Sequence, residues 1–270
     1  MQTKSNIFLS LLLFSLLIFS SDTYGQRHFP FVPHEDMHMV VYYNWGFIWI
    51  RAGKVEMKAN SLTYKNKKWI KFDATGSSLK KWNFIFALQD NYQSIVDLKG
   101  FKPLHFEKRT IEGGFWIHNI YQFDWKKQQL GVHTESIRQA ARDTTYHLKR
   151  PLFDVLTAVY YLRTLETKTL TPGDTIKIPI ISDGAFDTYH VVYAGLGNLR
   201  RKDKVISCHV YKAVITQSTF FSRKDPLVVY VTNDNRRLPV YVKANIIVGS
   251  IKVYLKPYLN YKVQKSNSQN

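Results

Sequence analysis

The chain has a single cysteine, Cys208. It can close no internal disulfide and can build no zinc site on paired cysteines. Carboxylates are scarce too: 20 Asp and Glu stand against 38 Lys and Arg, a formal charge of +18. No sequence rule singles out an acid–base pair for glycoside hydrolysis among them, although residues far apart in sequence can converge in a fold. There is no Gly-x-Ser-x-Gly elbow, no phosphate-binding loop and no dinucleotide fingerprint, and Gly195-Leu-Gly197 is too short to count as one. No tryptophan follows Trp125, and no apolar run reaches the roughly 20 residues of a spanning helix. The sequence therefore calls for no cofactor and nominates no catalytic residue, while leaving open an enzyme assembled only by folding.

Hydrophobic residues make up 45% and charged residues 21%, which is the composition of a chain that buries a core rather than of a disordered one. The first residues read Met1-Gln-Thr-Lys4, then an apolar run from Ile7 to Phe19, then small residues ending at Gly25. This is the pattern of a secretory signal cleaved before Gln26. Residues 1–25 are thus expected to be removed, leaving one β-rich domain over 26–262 and a polar tail over 263–270. The nearest cysteine to the cleavage site is Cys208, so the exported protein is not expected to be a lipoprotein, nor to keep a transmembrane segment. The expected location is periplasmic or associated with the cell envelope.

From Met37 onward, short segments alternate apolar with polar residues between Gly, Asn, Asp and Lys clusters, which is strand periodicity. Strands are predicted over 37–50, 68–74, 82–88, 104–110 and 115–123, and again over 175–181, 188–193, 204–215, 227–231, 238–244 and 246–255. Asp183-Gly184 is the strongest hairpin signal, because a tight primed turn needs residues that tolerate positive φ. Ala194 to Asn198 and Asn233 to Asn235 read as further turns. One helix is predicted between the two sets, from Val155 to about Leu165, capped by Asp154 and burying Val155, Leu156, Val159, Leu162 and Leu165. Residues 128–150 are polar and irregular, with a brief helical turn conceivable at 137–142. The fold class is mainly β: a strongly curved antiparallel sheet or partial barrel with one mid-chain helix packed against it.

Tyr43, Trp45, Phe47 and Trp49 would share one face of the first strand. Such a stripe either lines a groove for acyl chains or sugar rings or is ordinary core. His34, Glu35 and His38 match the two-histidine zinc pattern, but that pattern needs a helix, and Pro30, Pro33 and the β-branched and aromatic run after Met39 favour a turn into a strand. No metal is expected there. Cys208 alternates with Ile206 and Val210 on an apolar face and reads as an inert core thiol. Basic clusters such as Lys80-Lys81, Arg200-Arg201-Lys202 and Arg236-Arg237 fall at predicted turns. No nucleic-acid motif accompanies them, so the expected partner is a lipid or another anionic envelope component, or an envelope protein, rather than nucleic acid.

Several segments together resemble the bacterial secreted domain-of-unknown-function family 3108. They are Tyr43-Asn-Trp-Gly-Phe-Ile-Trp-Ile-Arg-Ala-Gly53, Phe153-Asp-Val-Leu-Thr-Ala-Val-Tyr-Tyr-Leu-Arg163, Gly173-Asp174, and Tyr230-Val-Thr-Asn-Asp-Asn-Arg-Arg-Leu-Pro239 followed by 244–255. The resemblance implies an exported β-rich protein with a curved sheet and a helix, and supplies no catalytic residues. It places His34-Glu35 where the family has a Gly-Glu turn, and it shows one departure, Thr232-Asn-Asp-Asn235 in place of consecutive acidic residues. Two functions follow as expectations: an envelope protein binding a lipid or lipid-bearing partner in an apolar groove, or an interaction module with a packed interior and an exposed apolar patch. A glycan- or lipid-acting enzyme ranks behind both.

Overall fold

The computed structural model describes residues 29–31, 34–64, 66–84, 87–214, 225–258 and 262–264. The expected signal segment and the tail beyond Gln264 lie outside the described residues. The first half is a meander of β1 (His34–Trp45), β2 (Ile48–Tyr64), β3 (Lys67–Ser78), β4 (Leu88–Asp97), β5 (Lys102–Glu112), β6 (Phe115–Asp124), β7 (Gln129–Ser136) and β8 (Gln139–His147). A two-residue strand β9 (Phe153–Asp154) leads directly into helix α1 (Val155–Arg163). A second meander follows: β10 (Thr175–Ser182), β11 (Ala185–Arg201), β12 (Lys204–Val214), β13 (Leu227–Thr232), β14 (Pro239–Asn245), β15 (Ser250–Leu255) and the short β16 (Lys262–Gln264).

The two meanders are one sheet. β1 pairs antiparallel with β15, from Met39 opposite Leu255 to Asn44 opposite Ser250, so the strand order runs β8 through β1 and then β15 back to β9. Among the described residues no hydrogen-bonded ladder joins β8 to β9, and the sheet is a partial barrel. Because neighbours are antiparallel, turns alternate between two ends. The turns after β1, β3, β5, β7, β10 and β14 form an upper rim; those after β2, β4, β6, β11 and β13, with the start of β1, form a lower rim.

Several sequence expectations need correction. Residues 37–50 are not one strand: the chain reverses at Gly46-Phe47, with Trp45 opposite Ile48. Gly46 has φ +56, the first central residue of a two-residue hairpin loop that only glycine enters freely. A 3-10 turn at Lys80–Trp82 replaces the strand expected over 82–88, and β4 begins at Leu88; residues 85 and 86 lie outside the described ones. The segment around 128–150 holds β7 and β8, with a turn where the helical turn was considered. β8 gave no alternating signal because it is the exposed end strand of the sheet, with nothing to bury. Ala194 to Asn198 is a bulge inside β11, where pairing shifts between Tyr193 and Leu196. Asp183 and Gly184 do form the predicted turn, both at positive φ.

The helix holds the curvature. Asp154 caps it, accepting from the Thr157 amide at 2.8 Å and the Thr157 hydroxyl at 2.6 Å, and it also accepts from Ser94 of β4 at 2.7 Å. Its buried residues are Leu156, Thr157, Ala158, Tyr160 and Arg163, whereas Val159 is exposed. The buried face is rotated from the aliphatic stripe because α1 packs against β3 and β4 on one side and β10 on the other. Tyr160 stacks on Phe72 with ring centroids 3.8 Å apart, and Phe31 sets its edge against both.

At the C-terminal end, Arg163 is almost wholly buried and forms two bonds to the Glu35 carboxylate, at 2.6 and 2.7 Å. Its remaining donors reach the carbonyls of Arg236 and Arg237 in the β13–β14 turn, both at 2.9 Å. Arg237 returns bonds to the carbonyls of Arg163 and Leu165. Truncating one member of a buried pair strands the other charge, at a cost of about 3–5 kcal/mol. Glu35→Ala is therefore expected to lower the unfolding free energy obtained from urea titration by an amount in that range, and Glu35→Ala with Arg163→Met to lose less than Glu35→Ala alone. A single-variant loss below about 1 kcal/mol would show that the pair is not structural.

Candidate functional site

Exposed large apolar side chains gather on the upper rim. Trp45 is 55% exposed, Phe47 97% and Trp49 52%, all at or beside the β1–β2 hairpin tip. Ile247 (81%) and Val248 stand on the adjacent β14–β15 turn, and Phe84 (81%) follows the 3-10 turn on the other side. Ile111, Trp116 and Ile137 continue the band around the turns after β5 and β7. Large apolar side chains exposed together on one rim, unlike singly scattered ones, mark a contact site.

Local bonds fix the geometry of this sector. Asn44 donates to the carbonyls of Gly46 and Ile48, at 3.0 and 3.2 Å, bracing the hairpin loop. The Tyr43 hydroxyl donates to the Val248 carbonyl at 3.1 Å, tying the two turns together. Gly249, at φ +89, passes so close to the Asn44 carbonyl that an added Cβ would lie 2.5 Å from it. Trp82 donates its indole N–H to the Arg51 carbonyl at 2.9 Å, which seats the Lys80–Phe84 segment against β2.

The electrostatics of the sector are one-sided. Residues 44–52, 79–84 and 243–252 contain Arg51, Lys80, Lys81, Lys243 and Lys252 and no carboxylate. The Lys252 ammonium lies 4.0 Å from the centre of the Trp49 ring and donates to Asn44 at 3.1 Å. Burial, and then the neighbouring Lys243, lower its pKa from the ordinary lysine value. Lys81 sits over Trp82 at 5.2 Å.

The four aromatic residues singled out in the sequence thus do come together, but not as a stripe on one strand facing a groove. Tyr43 is half buried under the β14–β15 turn, Trp45 ends β1, Phe47 is the loop tip, and Trp49 lies on β2. Gly46 turns the chain, and among the described residues no layer buries the tip. His34, Glu35 and His38 lie on β1, whose strand begins three residues before the predicted one. His34 meets Asn60 at 3.2 Å, His38 meets Asp36 at 3.3 Å, and Glu35 is held by Arg163, so the three do not converge. They border an open cleft of about 680 Å³ at the lower rim, floored by Phe31, Met37, Leu238 and Leu255. Cys208 is fully buried, and burial pushes its thiol up to about 12, which keeps it protonated and unreactive.

These features sit inside one recognisable sequence unit: a family model described as a protein of unknown function, DUF3108, matches residues 39–256. The chain belongs to the DUF3108 family. No characterised protein matches this DUF3108 chain by sequence. Among solved structures, it is similar to the β-barrel-like protein of the domain of unknown function DUF1849 from Brucella abortus, at 8% identity and a TM-score of 0.49, over 86% of this chain and 98% of that one. No described helix of the DUF3108 chain is long and apolar enough to cross a membrane.

Sequence reasoning missed Phe84, Ile247 and Val248. They fell inside the strands predicted over 82–88 and 246–255, where an apolar residue gives no sign of a turn. Because the rim side chains are exposed, Trp45→Ser and Phe47→Ser are each expected to shift stability by less than about 0.5 kcal/mol, the range for surface substitutions. A core role would cost about 3–5 kcal/mol, and thermal unfolding of the two variants separates these outcomes.

Proposed function

We propose that this is an exported envelope protein that seats its upper rim on an anionic lipid surface. The observation that carries this reading is the sector around the β1–β2 tip, where exposed Trp45, Phe47, Trp49, Phe84 and Ile247 lie on segments that carry five cations and no carboxylate. Aromatic rings with polar edges suit the headgroup layer, and basic residues beside them gain on the order of 1 kcal/mol each from an anionic leaflet. Several weak contacts of both kinds, held on one rigid rim, make a peripheral membrane anchor of the sort otherwise built on an amphipathic helix. The apolar-groove reading is less well supported, since the interior beneath the rim is filled by Phe72, Phe106, Tyr121 and Tyr160. Export is supported by the amino-terminal segment, and an intact mass beginning at Gln26 is the corresponding expectation.

Sedimentation with vesicles tests the proposal. The mature chain is expected to bind phosphatidylglycerol vesicles, to bind phosphatidylcholine vesicles at least ten-fold more weakly, and to lose affinity as salt screens the cations. Phe47→Ser with Trp45→Ser should reduce binding about ten-fold without unfolding the protein. Absence of binding to the anionic vesicles would overturn the reading and leave the patch to a protein partner.

A further inference from the structure

Just inside the upper rim, the concave face of β4–β6 is polar where the rest of that face is core. The register sets Asp90 opposite Thr110, Tyr92 opposite Lys108 and Lys108 opposite Asn119, so these side chains share one inner patch. The tip of the β10–β11 hairpin closes over it: Asp183 accepts from Lys108 at 2.7 Å and from the Asn119 amide nitrogen at 2.8 Å. Gly184 donates its amide to the Tyr121 hydroxyl at 3.0 Å. Among the described residues no strand ladder fastens this hairpin to β4–β6, and side chains hold it there.

In this patch the Thr110 hydroxyl serves the Asp90 carboxylate, and the buried Asn119 Oδ1 makes no hydrogen bond. Asn119 is fully buried and Thr110 is 5% exposed. Leaving such an atom without a partner is costly, and native proteins keep one where something else completes it. Burial raises the Asp90 pKa above the ordinary carboxylate value, with the Thr110 hydroxyl and Lys108 beside it offsetting this only in part. Glu112 is raised as well, by burial and then by the Asp90 charge. In a chain of charge +18, this is a local excess of carboxylates with acceptors to spare.

We infer that this patch is a binding site for a primary ammonium group. An ammonium carries three donors and no acceptor, which matches the carboxylate, hydroxyl and amide oxygens gathered here, and its charge answers that of Asp90 and Glu112. The group enters by displacing the β10–β11 tip, whose Asp183 already serves as the counter-ion of one ammonium, that of Lys108. The same chemistry is offered by the ethanolamine head of a phospholipid at the rim and by a free amine or amino sugar. The inference does not depend on the membrane reading.

Titration of the mature protein with ethanolamine, followed by amide chemical shifts, tests it against ethylene glycol, the neutral molecule of the same shape. Saturable shifts around Asp90, Asn119 and Gly184 with ethanolamine, and at least ten-fold weaker binding of ethylene glycol, are expected. Asp90→Asn keeps the shape and should weaken ethanolamine at least ten-fold; Thr110→Val, a second near-isosteric variant, removes the hydroxyl and should weaken it as well. Equal response to the two ligands, or binding unchanged in both variants, would overturn the inference. Vesicles containing phosphatidylethanolamine, compared with glucosamine in solution, tell a lipid source from a soluble one. Phosphatidylglycerol binding should persist in Asp90→Asn, so that failure here and failure of the membrane reading are separate results.

Discussion

The buried bond between Arg163 and Glu35 is the constraint on which the remaining geometry turns. It joins the last turn of α1 to the first residues of β1, and through Arg163 it also holds the β13–β14 turn. A buried ion pair is poor evidence of net stability, because desolvation consumes most of what the attraction returns. Its value here is positional. With its other end fixed by Asp154 to Ser94 of β4, the helix can sit in only one orientation across the sheet. Tyr160 then stacks on Phe72, and β3, β4 and β10 are drawn toward one another around it.

That curvature explains why the two ends of the barrel differ. The lower rim is locked by buried charge and by the paired carbonyls that serve it. The upper rim lies beyond the reach of the helix, and its turns project apolar side chains that no layer covers among the described residues. The same curvature brings the Asp183-Gly184 turn, distant in sequence, onto the inner face of β4–β6. A surface contact site and an interior polar patch therefore lie at the same end, the one the helix does not fill.

Much of the fold was legible in the residues. Alternation marked most strands, Asp154 marked the helix start, and Asp183-Gly184 marked its hairpin, because each of these signals is local: a period, a cap and a tolerance for positive φ. β2 beyond Ile50, β4, β7 and β8 were not legible. β4 carries Asp90, Tyr92 and Ser94 on its inner face, and those polar residues break the expected pattern precisely where the inner patch lies. β8 is a sheet edge and buries too little to show a period. The hairpin at Gly46 was hidden by its surroundings, since apolar residues on both sides continued the alternation through the turn.

By itself, the sequence determined an all-β chain with one capped helix, an inert thiol, a large positive charge and a concentration of aromatic residues in its first half. It also identified the aromatic segment 43–49 as the place to look. Only the tertiary structure decided that this segment points outward at a rim, that His34, Glu35 and His38 stay apart, and that Asp90, Lys108, Asn119 and Asp183 meet. The reason is physical. Burial and convergence depend on how far a sheet curves and on what packs inside it, and that curvature is set by Arg163 and Glu35, residues separated by most of the first meander.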